Sequence, residues 1–263
     1  MSKEKITIND FNLFFQSLKA VGKLVTSAKI SINSEGMTIY GKNSFARGEL
    51  FTNSITANSN PIEFCLLDLS MFIKVLSTVS EIHENDFSDV NVWFEFPFIK
   101  IESKKFKTKL STCKEEVIAN NVSQKIKTQL NPVFEFITSS KQIKYVNSHS
   151  FILSDLDSAR IYIATDSTME NNVVYAKIGN ESNELNNFMI LKLGMVTMGN
   201  IEDRKLIINF DRLNILNVID SDEIKIQLMD KNVLVNTSVV YDSENNNSEY
   251  FYKFTIYTSL LAN

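Results

Sequence analysis

The residues of this chain best suited to chemistry are lysines at helical spacing. Lys19 and Lys23 stand four apart in the stretch 9–25, NDFNLFFQSLKAVGKLV. On a helix of 3.6 residues per turn they share a polar stripe with Asn12 and Gln16. The opposite face is apolar: Phe11, Phe14, Phe15, Leu18, Gly22 and Val25. Lys74 lies on the polar side of a second such stretch, with Ser70, Ser77 and Glu81. Lys141 and Lys144 lie on that of a third, with Ser148. Long cationic side chains on an exposed stripe can hold phosphate oxygens without reading a base edge. For any one stripe the plain alternative is a solvated surface. What distinguishes these is that the design recurs.

Other chemistries find little support. His83 and His149 each stand alone, and no nucleophile elbow surrounds the Ser148-His149-Ser150 run, so both read as structural. Cys65 and Cys113 lack zinc spacing and read as buried reduced thiols. Asp155-Leu156-Asp157 reads as a loop or cap rather than a cation site. The seven glycines form neither GxGxxG nor GxxxxGK[ST]. The expectation is a protein that is not an enzyme and needs no metal or cofactor.

Composition narrows the setting. The 263 residues suffice for one large domain or two ordinary ones, and 44% hydrophobic with 22% charged residues suits a folded protein. No apolar run approaches the roughly 20 residues of a membrane span. The opening MSKEKITIND lacks a signal-peptide core, so the expected compartment is the cytosol. The net charge of −4 divides unevenly: residues 1–130 hold 16 Lys/Arg against 14 Asp/Glu, and residues 131–263 hold 11 against 17. An acidic excess opposes tight unaided DNA binding, since phosphate neutralisation supplies most of that affinity. The asymmetry suits head-to-tail assembly.

These stripes must be positioned by strands. In SAKISINSEGMTIYGK, Ile30 and Ile32, then Met37 and Ile39, alternate with polar residues across a Ser34-Glu35-Gly36 turn, giving a strand pair continued by 47–55. Residues 61–67, 90–101 and 106–113 read as further strands, with Asp68 opening the second helix. Asn9 suits the N-cap of the first helix, and Asp10 its dipole. Lys105, Lys107 and Lys109 fall on one strand face, either as an edge guard or as a contact for an acidic neighbour. After the weakly patterned 115–132, a connector or, with Val122, Ile126 and Leu130 four apart, a short amphipathic helix, the programme restarts. Strands are expected at 133–138, 159–165, 173–178, 188–193 (entering a helix-like turn), 206–209, 223–229, 233–240 and 250–257. A helix follows a serine cap at Ser139 or Ser140, and another covers FDRLNILNVIDS. The expected class is α+β, with similar domains at 1–119 and 133–263 joined by a connector at 120–132.

Three stretches carry a family resemblance. The opening helix followed by SAKISINSEGMTI, with its turn Gly36, is similar to the first helix, strand and turn of the sliding clamp family, in its PCNA-type and phage forms. FDRLNILNVIDSDEIKIQLMDKNVLV, with Leu213-Asn214, resembles a later helix and its hairpin. FYKFTIYTSLLAN, with Leu261-Ala262, resembles the last strand and tail. The resemblance implies two clamp domains per subunit, each with two helices on antiparallel sheets, and a ring of three subunits around double-stranded DNA. It implies a processivity factor that tethers DNA polymerase, is placed by a clamp loader and holds other replication proteins through short peptide motifs.

Residue by residue, it implies DNA contacts at Lys19, Lys23, Lys74, Lys141 and Lys144, with Asn214 and Asn217 on the fourth helix. It implies a partner-peptide pocket of Lys42, Phe45, Ile126, Leu130, Val233, Leu234, Tyr257, Leu260 and Leu261. It implies a subunit interface in which the strand of Lys105, Lys107 and Lys109 pairs with that of Val173, Tyr175 and Lys177, with Glu181 and Glu184 just beyond. Two other readings stay open: a trimeric β-rich structural protein of virion type, and a monomeric processivity subunit, which the net charge disfavours. The Asn-, Lys- and Ile-rich composition points to an AT-rich phage or viral genome, and so to a host cytoplasm.

Overall fold

The computed structural model describes residues 4–42, 46–58, 60–84, 87–118, 131–150, 161–164, 172–179, 188–199, 206–208, 221–229, 232–242 and 249–259. At 46, 150, 161–164, 179, 206–208, 232–242, 249 and 258–259 it describes the backbone alone. The strands are β1 (Glu4–Ile8), β2 (Ala28–Ile32), β3 (Met37–Lys42), β4 (Ala46–Thr52), β5 (Ile55–Ala57), β6 (Ile62–Leu66), β7 (Asn91–Glu95), β8 (Phe98–Glu102), β9 (Lys107–Ser111), β10 (Phe134–Thr138), β11 (Ile161–Ala164), β12 (Val173–Gly179), β13 (Phe188–Met198), β14 (Leu206–Ile208), β15 (Ile224–Leu228), β16 (Asn232–Asp242) and β17 (Glu249–Ser259). The helices are α1 (Phe11–Leu24), α2 (Leu69–Ile82) and α3 (Ser140–Ser150), with a 3-10 turn at Glu115–Val117. The class is α+β with antiparallel pairing, as the hydrophobic periods predict.

The chain divides into two compact units. The first takes residues 1–126 and 239–254, the second 127–238 and 255–263, so β16 and β17 give residues to each.

In the first unit one sheet runs β5-β1-β7-β8-β9, and β4-β3-β2-β6 forms a second ladder. The β2–β3 turn is closed by Asn33, whose Oδ1 accepts from the amides of Glu35 (2.8 Å) and Gly36 (3.0 Å). At Gly36 a Cβ would lie 2.4 Å from the Thr52 carbonyl oxygen, so the close backbone approach there requires glycine. Side chains alternate in register: Ile30 faces Ile39 and Phe64, and Ile32 faces Met37 and Ile62. On this surface α1 buries Leu13, Phe14, Leu18 and Val21, while α2 buries Phe72, Leu76 and Val79. Each full burial of such a side chain stabilises by about 1.5–3 kcal/mol.

The capping differs in one position from expectation. Asp10, rather than Asn9, is the N-cap of α1, its carboxylate accepting from the Leu13 amide at 2.8 Å. The side chain of Asn9 instead donates from Nδ2 to the Asn53 carbonyl at 3.3 Å. Asp68 caps α2 as expected, accepting from the Met71 amide at 2.9 Å and the Ser70 hydroxyl at 2.6 Å. These bonds stabilise the carboxylate and hold its pKa below the usual range. Residues 90–101, expected as one strand, are two: a turn at Phe96-Pro97 separates β7 from β8. Likewise 47–55 breaks at Asn53-Ser54, between β4 and β5.

In the second unit the order is β14-β11-β12-β13-β10-β15-β16. Phe134, Phe136, Val174, Ile178, Ile224, Ile226 and Leu228 are buried along it. The stretch 188–198 is one long strand, β13, with no helical turn after 193. Glu135 of β10 fastens both neighbouring strands. It accepts from Thr197 Oγ1 of β13 (2.8 Å) and Gln227 Nε2 of β15 (2.7 Å), and pairs with Lys225 Nζ (3.3 Å). Its burial raises the carboxyl pKa, but these donors outweigh burial and hold it below the usual range.

Candidate nucleic-acid interface

The cationic stripes sit on helices whose other faces are locked down. Gly22 of α1 touches α2: a Cβ there would come 2.7 Å from Ile73 Cδ1 and 4.0 Å from Leu69 Cδ2. The two helices pack side by side, and Lys23 and Lys74, each next in sequence to this contact, are exposed. Lys19 is half-buried, its Nζ 4.0 Å from the centre of the Phe15 ring. That contact stiffens the alkyl stem and leaves less of the cation in water.

In the second unit α3 buries Ile143 and Val146 and exposes Lys141, Lys144 and Ser148. Ser139 caps it through a 3.1 Å bond from the Gln142 amide, and Gln142 Nε2 ties it to the Lys192 carbonyl of β13. The periodicity reading passed over one residue of this face. Tyr145 is 48% exposed, its ring 4.2 Å from that of His149. Its signal was its place between Lys144 and Ser148, since an aromatic beside exposed cations suits nucleic-acid contact. Asn214 and Asn217 lie outside the described residues.

The lysine row needs two corrections. Lys105 is not on the strand. Ser103 Oγ accepts from the amides of Lys105 (3.2 Å) and Phe106 (3.0 Å), closing a turn that ends β8 and delays β9 until Lys107. Lys107 and Lys109 are exposed on β9 and already have intrachain partners: Glu102 at 3.1 Å and the Phe98 ring at 3.3 Å. Their strand does end its sheet, so β9 has no strand partner on its outer side among the described residues.

The second correction concerns the opposing strand. β12 is hydrogen-bonded to β11 on one side and β13 on the other, and Val173 and Tyr175 are buried. A strand with both ladders filled cannot pair again. Lys177 is half-buried on the same strand. Among the described residues β14 ends the sheet, and β13 offers a further open edge: residues 188–191 pair there with β12 alone, while β10 joins at Met195, Val196 and Met198. Phe188 is 51% exposed there. The near-continuous apolar run VVYAKIG was the legible signal that β12 is an interior strand. Glu181 and Glu184 lie outside the described residues.

Of the expected pocket residues, Lys42 ends β3 half-buried, opposite Arg47. Tyr257 is half-buried in β17. Val233 and Leu234 lie in β16 opposite Leu228 and Gln227. Phe45, Ile126, Leu130, Leu260 and Leu261 lie outside the described residues.

One constellation has the connectivity of a hydrolytic triad. His83 Nε2 lies 2.8 Å from Ser103 Oγ, and Nδ1 lies 3.1 Å from Asp89 Oδ1. Its arrangement is structural. Ser103 Oγ spends its lone pairs on two turn amides and, with a neutral ring, donates its proton to His83. The buried imidazole, which ends α2, thereby pins that helix to the β8–β9 turn.

The architecture of helices on antiparallel ladders in two compact units has counterparts among solved structures. A PCNA chain from A. fulgidus, described with the C-terminal region of FEN-1 bound, matches with a TM-score of 0.68 over 100% of this chain and 99% of that one, at 12% identity. This chain has the sliding-clamp fold. PCNA from Thermococcus kodakaraensis matches that fold with a TM-score of 0.64 at 13% identity, over 99% of this chain and all of that one. The DNA polymerase III beta chain of Streptococcus pneumoniae matches with a TM-score of 0.62 at 19% identity, over all of this chain and 66% of that one. No protein-family model and no curated protein matches the sequence of this clamp-fold chain.

Proposed function

We propose that this protein is a DNA sliding clamp: three copies close into a ring around duplex DNA and tether a DNA polymerase to its template. The observation that carries the reading is likeness over the full length of both chains to a PCNA chain. A virion-type structural role has no comparable support.

The chemistry fits. Lys19, Lys23, Lys74, Lys141 and Lys144 are the proposed phosphate contacts, with Asn214 and Asn217 beside them. Tripled, the lysines supply about fifteen cations around the duplex. Helices that meet phosphates without lodging in the major groove read no sequence, so every position along DNA is nearly equivalent. Encirclement retains the protein, so the net charge of −4 is no obstacle. Such a role needs no catalytic group.

Closure is proposed between the outer edge of β9 in one copy and residues 188–191 of β13 in the next. This joins two open edges and covers Phe188. The A. fulgidus chain is described with the C-terminal region of FEN-1 bound. By likeness, short peptides of the polymerase and other replication proteins are the proposed ligands here, and a clamp loader the proposed means of placement.

The test is primer extension on a long singly primed template with polymerase and loader. Addition of this protein should lengthen the products of a single binding event. Product lengths unchanged by its addition would refute the tethering role.

A further inference from the structure

Cys65 and Cys113 are the only cysteines in the chain, and the fold sets them face to face. Cys65 lies in β6, and Cys113 sits four residues before the end of the Glu115–Val117 turn. The two form an isolated antiparallel bridge and exchange both backbone bonds: Cys65 N–H to Cys113 O at 3.1 Å, and Cys113 N–H to Cys65 O at 3.0 Å. Cys113 Sγ lies 3.6 Å from the Cys65 carbonyl oxygen. Directly opposed residues point to the same face of the pair. Their Cα atoms stand about 5.5 Å apart in a pair of this kind, inside the roughly 4.4–6.8 Å range of disulfides. The Cβ atoms must close by about 1 Å. A bridge of one residue pair, outside any longer ladder, can yield by that much.

We propose that Cys65 and Cys113 form a reversible intrachain disulfide under oxidising conditions, fastening residues 112–118 to β6. The same segment is already held by two weaker contacts. Lys29 Nζ pairs with Glu115 at 2.8 Å, and Ile118 packs into a small cluster with Cys65, Tyr40 and Cys113. The covalent bond adds a reducible tie to these contacts at residues 112–118.

The order of events follows from accessibility. Cys113 is partly exposed and Cys65 is buried, with burial pushing the Cys65 thiol up to about 11. Cys113 therefore reacts first. Its thiolate attacks one oxygen of hydrogen peroxide, giving a sulfenic acid and hydroxide, which takes up the thiol proton to leave as water. Cys65 sulfur then attacks the sulfenic sulfur of Cys113, and the second oxygen departs as water with the Cys65 proton. Two thiols lose two electrons in all, and one peroxide becomes two waters. Burial of Cys65 makes the second step slow at neutral pH, so the bond is expected under sustained oxidation.

The experiment uses the full chain treated with hydrogen peroxide and then alkylated. The expected product is about 2 Da lighter than the untreated protein and has no free thiol. Digestion should yield a peptide joining Cys65 to Cys113, and dithiothreitol should reverse the change. Thermal unfolding of the oxidised chain should shift up by about 5 °C, as closure of a long loop requires. Cys113→Ser should give neither the mass loss nor the shift, and Cys65→Ala should leave Cys113 as a stable sulfenic or sulfinic acid. Complete alkylation of both thiols after oxidation, a disulfide-linked dimer, or over-oxidation of Cys113 in the wild-type chain without the linked peptide would each overturn the proposal.

Discussion

Gly22 of α1 lies so close to Ile73 of α2 that a Cβ there would sit 2.7 Å from the Ile73 Cδ1 atom. The contact sets the spacing of the two helices that carry Lys19, Lys23 and Lys74. Alanine could be admitted if the tip of Ile73 rotated. A larger side chain must displace Ile73 and Leu69 of α2. Gly22→Leu should destabilise by about 1–3 kcal/mol through overpacking, read as a lower urea midpoint with unchanged slope. A midpoint equal to wild type would show that the helices are not in contact at this point.

Reversing the cations tests the DNA-facing role separately from the fold. Lys23 and Lys74 are exposed, so Lys23→Glu with Lys74→Glu should leave the circular dichroism spectrum and thermal midpoint nearly unchanged. Products of single-encounter primer extension should shorten several-fold, with the largest loss at low salt, where phosphate contacts contribute most. Unchanged product length would remove these lysines from the interface. Tyr145→Ala in the same assay asks whether the exposed ring on α3 adds to the cations beside it.

The edge of β13 makes a prediction about assembly. Phe188 is half-exposed at that edge and faces Gly179 across the ladder, so Phe188→Lys should cost the subunit little. Set against the lysines of β9 in the neighbouring copy, it should drive a species of about 90 kDa, three chains of 30.0 kDa, toward monomer. Native mass spectrometry reads this directly. An intact trimer in the variant would place the closure elsewhere.

Glu135 predicts a pH dependence. Its folded pKa lies below the ordinary value of 4.5. The carboxylate therefore contributes stability that is fully present above pH 4.5 and is lost as pH falls through the lowered folded value. Glu135→Gln should be less stable than wild type by about 1–2 kcal/mol at pH 7. The gap should narrow steadily below pH 4.5. A gap of constant size down to pH 3 would mean the carboxylate charge is not what holds β10 to β13 and β15.

Local patterns were the legible part of this fold. The stripe of α1, the caps at Asp68 and at one of Ser139 and Ser140, and the Ser34-Glu35-Gly36 turn each follow from side-chain chemistry within a few residues, and could be read directly. The N-cap of α1 was misplaced by one residue because Asn9 and Asp10 are equally good caps by type. The choice was made by Asn53, distant in sequence, whose carbonyl takes the Asn9 side-chain amide. Residues 90–101 looked like one strand because apolar residues continue through Phe96-Pro97, and only pairing of β8 back onto β7 reveals the turn. The subunit edge was misassigned for a deeper reason. Periodicity reports which face of a strand is buried, but whether its ladders are filled depends on strand order, and order is a property of the whole sheet. Lys105 left its row because one hydroxyl, on Ser103, captured two amides and turned the chain.

The measurement that bears most directly on encirclement compares nicked circular DNA with the same DNA cut once. The protein is placed on each by a clamp loader and passed through a sizing column in high salt, which removes simple electrostatic binding. The account predicts that the protein travels with the circle and is lost from the linear form, because it can slide off free ends. Equal retention on both, or none on either when loading is otherwise complete, would contradict it.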